Sequence, residues 1–279
     1  MNAKKMIVAF QGEHGAYSEQ AVRQHFGSES ASLPCRSFLE IFLALQDGRA
    51  THGMLPVENS LAGTVIPAYD LLVDHDLYVQ AEVIVRVEHC LMAAPGVMLQ
   101  DIKRVKSHYQ ALGQCEQTLR RMALEAVNHY DTAGAARDLA TNPEPHTAVI
   151  ASELAAQTYG LDILIRNLED LDFNYTRFFV LGSTPPERQD PSKTSIIFTT
   201  HHIPGALYEV LSELAKREIN LTKIESRPRR NRPWHYLFYL DFSGHEDDPQ
   251  IQEAVLGILK RTSFLKILGS YPAARPLGD

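Results

Sequence analysis

Ser183-Thr184-Pro185-Pro186-Glu187-Arg188-Gln189-Asp190-Pro191-Ser192 breaks the hydrophobic pattern of this chain completely. Proline fixes φ and lacks an amide hydrogen, so a polar stretch with three of them continues neither a helix nor a central strand. The 279 residues must therefore fold on either side of it around separate cores. The expected division is a first domain at 1–182, a linker at 183–192 and a second domain at 193–279.

Before the linker, strand-like and helix-like segments alternate. Met6–Phe10 reads as a strand and Glu19–Phe26 as a helix. Ser37 and Glu40 form a capping box for a helix with Phe38, Ile41, Phe42 and Leu45 at helical spacing. Met54–Val57 is strand-like, Val65–Leu72 helical, and Leu77–Val87 a long alternating strand. A second unit repeats the pattern: strand Ile102–Lys106, helix Ala111–Ala123, apolar Ala126–Val127, then helix Thr132–Ala140 with Asp131 as its cap. Thr147–Ile150 and Glu153–Tyr159 add a strand and a helix, and Arg177–Leu181 closes the series. Two α/β lobes joined by two extended crossings account for this order, with a ligand cleft between them at strand and helix ends.

After the linker the order is strand Thr194–Thr200, helix Ala206–Lys216, strands Ile219–Arg227 and His235–Phe242, helix Gln250–Arg261 and strand Phe264–Tyr271. Leu207, Val210, Leu211 and Leu214 give the first of these helices its apolar face. The result is a ferredoxin-like βαββαβ sandwich.

Several functions are disfavoured by composition. Hydrophobic residues at 44% and charged residues at 22% are ordinary for a globular protein. With 27 basic and 34 acidic residues the net charge is -7, which opposes general nucleic-acid binding. The densest basic stretch, Arg227 to Pro233, is bounded by proline and reads as a solvated turn or hairpin connection. Met6–Phe10 is too short for a signal peptide or a membrane span. Cys35, Cys90 and Cys115 are odd in number and scattered, and the twelve histidines show no metal-ligand spacing. A cytoplasmic enzyme or binding protein without metal, membrane or nucleic-acid partner is expected.

Polar residues gather at five places. Gly12-Glu13-His14-Gly15-Ala16-Tyr17-Ser18-Glu19 joins the first strand to its helix, and its glycines allow backbone amides to approach an anion. Leu55-Pro56-Val57-Glu58-Asn59-Ser60-Leu61-Ala62-Gly63-Thr64 places four polar side chains where a helix needs one cap. Ser107-His108-Tyr109-Gln110-Ala111-Leu112 and Asp131-Thr132-Ala133-Gly134 both precede helices. In Asn174-Tyr175-Thr176-Arg177-Phe178 a hydroxyl and a guanidinium adjoin within an apolar strand, where neighbours face opposite ways. Taken alone, that segment is accounted for by an edge strand with Arg177 reaching solvent.

Together these segments, in this order, resemble the prephenate dehydratases over roughly residues 6 to 272. The Thr-Arg-Phe strand, Pro-Val-Glu-Asn-Ser-x-x-Gly and Ser-His-x-Gln-Ala-Leu all match. The first loop departs from the family's Gly-Pro-x-Gly-Thr-Phe-Ser-Glu at Glu13 and Ala16, and Tyr109 replaces a proline. Gly-Ala-Tyr-Ser-Glu also looks like the opening of the arogenate dehydratases. The second domain resembles an ACT domain, an amino-acid-sensing module.

The resemblance implies a two-lobed catalytic domain of the type II periplasmic-binding-protein kind. It also implies decarboxylating dehydration of prephenate to phenylpyruvate, without a cofactor. Arogenate is the alternative substrate, and a cytoplasmic small-molecule binding protein is the rival from another class. Thr176, Arg177, Glu58 and Asn59 are the implied catalytic set, with Arg177 suited to carboxylate capture. Ser18, Ser60, Thr64, Ser107, His108, Gln110, Thr132, Ala133 and Phe178 are the implied substrate contacts. L-Phenylalanine is the implied effector, held by Gly205, Ala206 and Leu207 with Asn220, Leu221, Glu225, Ser226, Arg227 and Pro228. Glu225 and Arg227 share a strand face, so a plain ion pair is the structural alternative there. The family suggests a homo-oligomer built as a dimer of dimers. With only five residues before the first strand, no fused chorismate mutase is expected.

Overall fold

The computed structural model describes residues 6–229 and 232–274. They form two compact units: Met1–Ala68 with Val83–Phe178, and Tyr69–Glu82 with Phe179–Asp279.

The first unit holds the two expected lobes. Lobe one is built on β1 (Ile7–Gln11), α1 (Tyr17–Phe26), β2 (Ala31–Cys35), α2 (Phe38–Gln46), β3 (His52–Asn59), β4 (Gly63–Thr64), the start of α3 (Ile66–Asp74) and the end of β5 (Tyr78–Arg86). Lobe two follows with β6 (Cys90–Ala93), β7 (Arg104–Ser107), α4 (Tyr109–Gln114), α5 (Glu116–Arg121), β8 (Glu125–Asn128), α6 (Thr132–Thr141), β9 (Thr147–Ala151), α7 (Glu153–Tyr159) and β10 (Asp162–Ile165). The chain then returns to lobe one as β11 (Tyr175–Gly182). The first sheet has the order β2-β1-β3-β11-β5 with β4 paired to β3, and the second β10-β6-β9-β7-β8. The two crossings run through Val87–His89 and through residues 166–174. This is the architecture of type II periplasmic binding proteins.

Local chemistry explains most of the elements. Ser37 caps α2 by accepting from the Glu40 amide at 3.3 Å, and the Glu40 carboxylate accepts from the Arg36 amide at 2.8 Å. Asp131 caps α6 by accepting from the Gly134 amide at 2.6 Å. α7 is capped by Ser152 and ends at Gly160, whose φ of 66° a side chain would resist. The expected helix Ala111–Ala123 is two helices instead, because Cys115 leaves helical geometry at φ −115°, ψ 11°. β2, β6 and β10 carry no period-two pattern and escape a sequence reading. β2 contains Pro34, and all four residues of β6 are buried.

The second unit contains β12 (Ser192–Thr200), α8 (Ala206–Ala215), β13 (Leu221–Arg229), β14 (Arg232–Ser243), α9 (Pro249–Leu259) and β15 (Thr262–Pro272). Its antiparallel sheet has the order β13-β14-β12-β15, the ferredoxin-like arrangement. Ile196, Phe198, Val210, Leu214, Leu240, Phe242 and Ile258 form its core between sheet and helices. β13 and β14 pair as a hairpin around the basic stretch, whose residues 230 and 231 lie outside the described residues. Tyr69–Glu82 packs with this sandwich. Tyr69 meets Tyr239 edge to face, and buried Glu82 accepts from Lys193 at 2.7 Å. No helix among the described residues is long and apolar enough to cross a membrane.

Candidate active site

Asn59, at the end of β3, organises the site. Its Oδ1 accepts from the backbone amides of Leu61 at 3.1 Å and Ala62 at 2.9 Å. Two N–H donors on one atom fix the orientation of the carboxamide, so its nitrogen must face the other way. Nδ2 donates to Asn174 Oδ1 at 2.8 Å, to Thr176 Oγ1 at 3.0 Å and to the Tyr175 carbonyl at 3.1 Å. Thr176 therefore spends a lone pair on Asn59 and keeps its own hydrogen. No protein acceptor among the described residues takes it. Thr176 and Asn59 line a 240 Å³ cavity between the lobes, walled by Tyr17, His89, His108, Gln110 and Gln114 among others.

Strand alternation separates the four residues implied as catalytic. Arg177 and Glu58, one step along their strands from Thr176 and Asn59, pair with each other at 3.5 Å. Neither is among the residues that line the cavity or its neighbour. Four implied substrate contacts are elsewhere too. Ser60 stitches two chain segments, donating to the Phe173 carbonyl at 2.8 Å and accepting from the Tyr175 amide at 2.9 Å. Thr64 sits opposite Glu58 in the β3–β4 pair. Ser107 is fully buried and donates to the Ile150 carbonyl at 2.8 Å, and Phe178 is a core residue.

Ser18, His108, Gln110, Thr132 and Ala133 do converge. They line an adjoining 220 Å³ cavity with Gly15 and Ala16, and the two cavities share Gln11, Tyr17, His108, Gln110 and Thr132. Helix α1 opens onto this space with no side chain capping it, so its first-turn amides are available to an anion. No lysine or arginine lines either cavity. A carboxylate there meets helix-end amides, hydroxyls and carboxamides.

The loop before α1 is held by a buried carboxylate. Glu19, only 3% exposed, accepts from the Gly15 amide at 2.6 Å, from Ser32 Oγ at 3.0 Å, and faces Arg23 and His14 at 3.3 Å each. Burial works against its charge, but the bonds from Gly15, Ser32 and His14 outweigh it and hold the carboxyl below its ordinary range. The far side of the loop docks on lobe two: Tyr159 donates to the His14 carbonyl at 2.8 Å and Ser152 to that of Gly15. A Cβ on Gly15 would lie 2.6 Å from Ala155 Cα, and φ there is +86°, so only glycine fits.

The two histidines and the tyrosine that line the Thr176 cavity are all shifted toward their neutral forms. Burial lowers the His108 pKa, with Asp131 opposing, and burial lowers that of His89. Burial raises the Tyr17 phenol well above its ordinary value, reinforced by Cys90, Cys115, Glu169 and Glu88. Tyr17, His89 and Gln114 escaped the sequence reading. Tyr17 lies inside a quoted motif and Gln114 one turn beyond Gln110, which is the signal that could have found them.

In the second unit, Gly205, Ala206 and Leu207 line a 360 Å³ pocket with Thr200, Ile203 and Phe238. Gly205 caps α8 at φ 80°. Asn220 and the β13 residues Leu221 to Pro228 are not among its lining residues. Ser226 instead pairs in register with Phe238, and Arg227 faces Asp70 at 3.3 Å.

Comparison with known proteins accords with this geometry. Residues 8–186 match the family model described as prephenate dehydratase. The chain belongs to the prephenate dehydratase family. Residues 194–259 match the ACT domain model. Arogenate dehydratase 1 of Petunia hybrida is 44% identical over 292 residues, covering 98% of this chain and 68% of the petunia protein. Arogenate dehydratase/prephenate dehydratase 2, chloroplastic, of Arabidopsis thaliana is 42% identical, covering 97% and 74%. Among solved structures, the prephenate dehydratase of Arthrobacter aurescens in complex with L-Phe has a TM-score of 0.87 at 31% identity, covering 96% of this chain and 90% of that one. A protein described as GqqA, a novel type of quorum quenching acylase, has a TM-score of 0.89 at 37% identity, covering 96% and 98%.

Proposed function

We propose that the chain converts prephenate to phenylpyruvate, water and carbon dioxide in phenylalanine biosynthesis, with arogenate as the alternative substrate. The observation that carries this reading is the Thr176 hydroxyl, fixed as an acceptor toward Asn59 and left with its hydrogen for the cavity. In this reaction the bond from the ring to its carboxylate breaks and its electrons enter the ring. The C–O bond breaks with its electron pair on oxygen, and one proton from solvent completes the water. Aromatisation drives the reaction, so the protein's task is to hold the carboxylates and stabilise the departing oxygen.

A threonine hydroxyl is a weak general acid near neutral pH, but it is an effective hydrogen-bond donor to a developing anion in a cavity shielded from water. The first turn of α1 with Ser18 and Gln110 receives the carboxylates. Arg177 and Glu58 brace the strands behind Asn59 and Thr176.

The same hydroxyl bears on the acylase description of the GqqA protein. A nucleophilic threonine needs a base in hydrogen-bond reach. Thr176 has a carboxamide there, which takes no proton, so the dehydratase reading is favoured.

L-Phenylalanine is proposed as the inhibitor, bound at the Gly205–Leu207 turn beside the Glu225–Pro228 strand, between ACT domains paired across subunits. A cytoplasmic homotetramer, a dimer of dimers, is proposed with it, although the Arabidopsis relative is chloroplastic by name.

Phenylpyruvate absorbance on prephenate, and amino-acid analysis on arogenate, test the reaction on purified protein. Turnover of neither substrate refutes it. Titration calorimetry with L-phenylalanine, run beside the rate assay, tests control. Absence of both heat and inhibition refutes that part.

A further inference from the structure

Among the aspartates, glutamates, lysines and arginines, Asp131 alone lines the two adjoining cavities. It stands at the start of α6, where its Oδ1 is committed to the Gly134 amide at 2.6 Å. That bond orients the carboxylate and leaves Oδ2 on the other side. Oδ2 faces lobe one beside Gly12, where a Cβ would lie 3.7 Å from it. Among the described residues Oδ2 accepts no hydrogen bond and Asp131 makes no ion pair. Arg137, on the same helix, is taken by Glu13 at 2.7 Å and by Asp138 at 2.8 Å. Oδ2 is not one of the sealed unpartnered atoms, so it is open to the cavities its residue lines.

A carboxylate without a cation repels an anionic substrate, and more strongly where water is scarce. The repulsion is offset when the substrate brings a cation of its own. Arogenate and prephenate differ in that one respect. Beside the side-chain carboxylate, arogenate carries an ammonium where prephenate carries a keto oxygen. With the ring hydroxyl at Thr176 in one cavity and the side-chain carboxylate at the first turn of α1 in the other, the differing group falls on the Asp131 side.

Building on the dehydratase reading, we propose that Asp131 determines substrate specificity: its Oδ2 accepts from the ammonium of arogenate, which makes arogenate the preferred of the two substrates. A keto oxygen in the same place sets two acceptors face to face and leaves the carboxylate unpaired, so prephenate is disfavoured. Asp131 takes no part in breaking bonds. It selects the side chain, while the ring chemistry at Thr176 is common to both substrates.

The test is steady-state kinetics of the full chain on arogenate and prephenate, comparing wild type with Asp131→Asn and Asp131→Ser, each checked for folding by circular dichroism. Asparagine and serine both cap helices as aspartate does, so α6 keeps its cap while the charge is removed. Asp131→Asn is expected to lower kcat/KM for arogenate about 10–100-fold, the worth of a charged hydrogen bond. Its amide nitrogen then stands where Oδ2 stood and can donate to a keto oxygen, so kcat/KM for prephenate should rise about 3-fold. Asp131→Ser should lower the arogenate value likewise. A purely structural role for Asp131 lowers both substrates together and leaves their ratio alone. A wild type with the higher kcat/KM on prephenate, or folded variants in which the arogenate-to-prephenate ratio falls by less than ~5-fold, overturns the role of Asp131 and leaves the dehydratase reading standing. A wild type inactive on both substrates overturns both.

Discussion

Replacing Asn59 by aspartate tests the central geometric claim, because it keeps the shape and reverses one hydrogen-bond direction. One carboxylate oxygen still accepts from Leu61 and Ala62, as Oδ1 does now. The other replaces a donor that serves Asn174 Oδ1, the Tyr175 carbonyl and Thr176 Oγ1. Asn174 Oδ1 and the Tyr175 carbonyl then face an acceptor. Each loss costs about 1–3 kcal/mol when buried, so the two together should lower stability by roughly 2–6 kcal/mol. At about 2–4 °C per kcal/mol for a chain of this size, melting should come ~10 °C lower. The larger consequence is at Thr176, whose hydroxyl can rotate to donate to the new carboxylate and is thereby withdrawn from substrate. Losing one such donor costs about 10²–10³ in kcat. Asn59→Ala destabilises too but leaves the Thr176 hydrogen pointing into the cavity, so its kcat should exceed that of Asn59→Asp. Kinetics on prephenate well below both melting temperatures decide the matter. An Asn59→Asp protein as fast as Asn59→Ala refutes the assigned polarity.

Thr176→Val preserves the shape and removes the hydroxyl, and should lower kcat about 10²–10³-fold with little change in KM. A folded variant with wild-type kcat removes Thr176 from the mechanism. Glu19 has a folded pKa below its unfolded value, so its contribution is present above the ordinary glutamate range and lost as pH falls through the folded value. Glu19→Gln should therefore flatten the decline of melting temperature in acid, and an unchanged acid limb refutes this. Gly15→Ala combines a positive φ with a 2.6 Å approach to Ala155. It should cost about 2–5 kcal/mol from strain and overpacking, read by denaturant melts, and a neutral result refutes the close docking of this loop.

Much of the organisation is written in one dimension. The proline-rich break, the strand–helix alternation before it and the βαββαβ order after it are local patterns, and the structure contains all three. Ser37 and Asp131 act as caps within three residues of their partners, which is why sequence reveals them. β6 is invisible for the opposite reason: it is buried on both faces, so nothing alternates.

The site is legible as a set of segments and not as a set of side chains. Sequence motifs bring Asn59, Thr176, Ser18, His108 and Gln110 to the cleft, yet the same motifs name Arg177, Glu58, Ser107 and Phe178, which line neither cavity. A motif marks a stretch of backbone, whereas the face each side chain takes depends on strand register and on what packs behind it. Thr176 and Arg177 are adjacent in sequence and part company because successive strand residues point to opposite sides. Tyr17, His89 and Gln114 are dispersed in sequence and meet because the first crossing lays His89 between helices of different lobes. What sequence determined is the periodicity and the turns, which depend on neighbours a few residues away. What tertiary structure decided is which polar atom meets which, because such partners lie as far apart as Asn59 and Thr176.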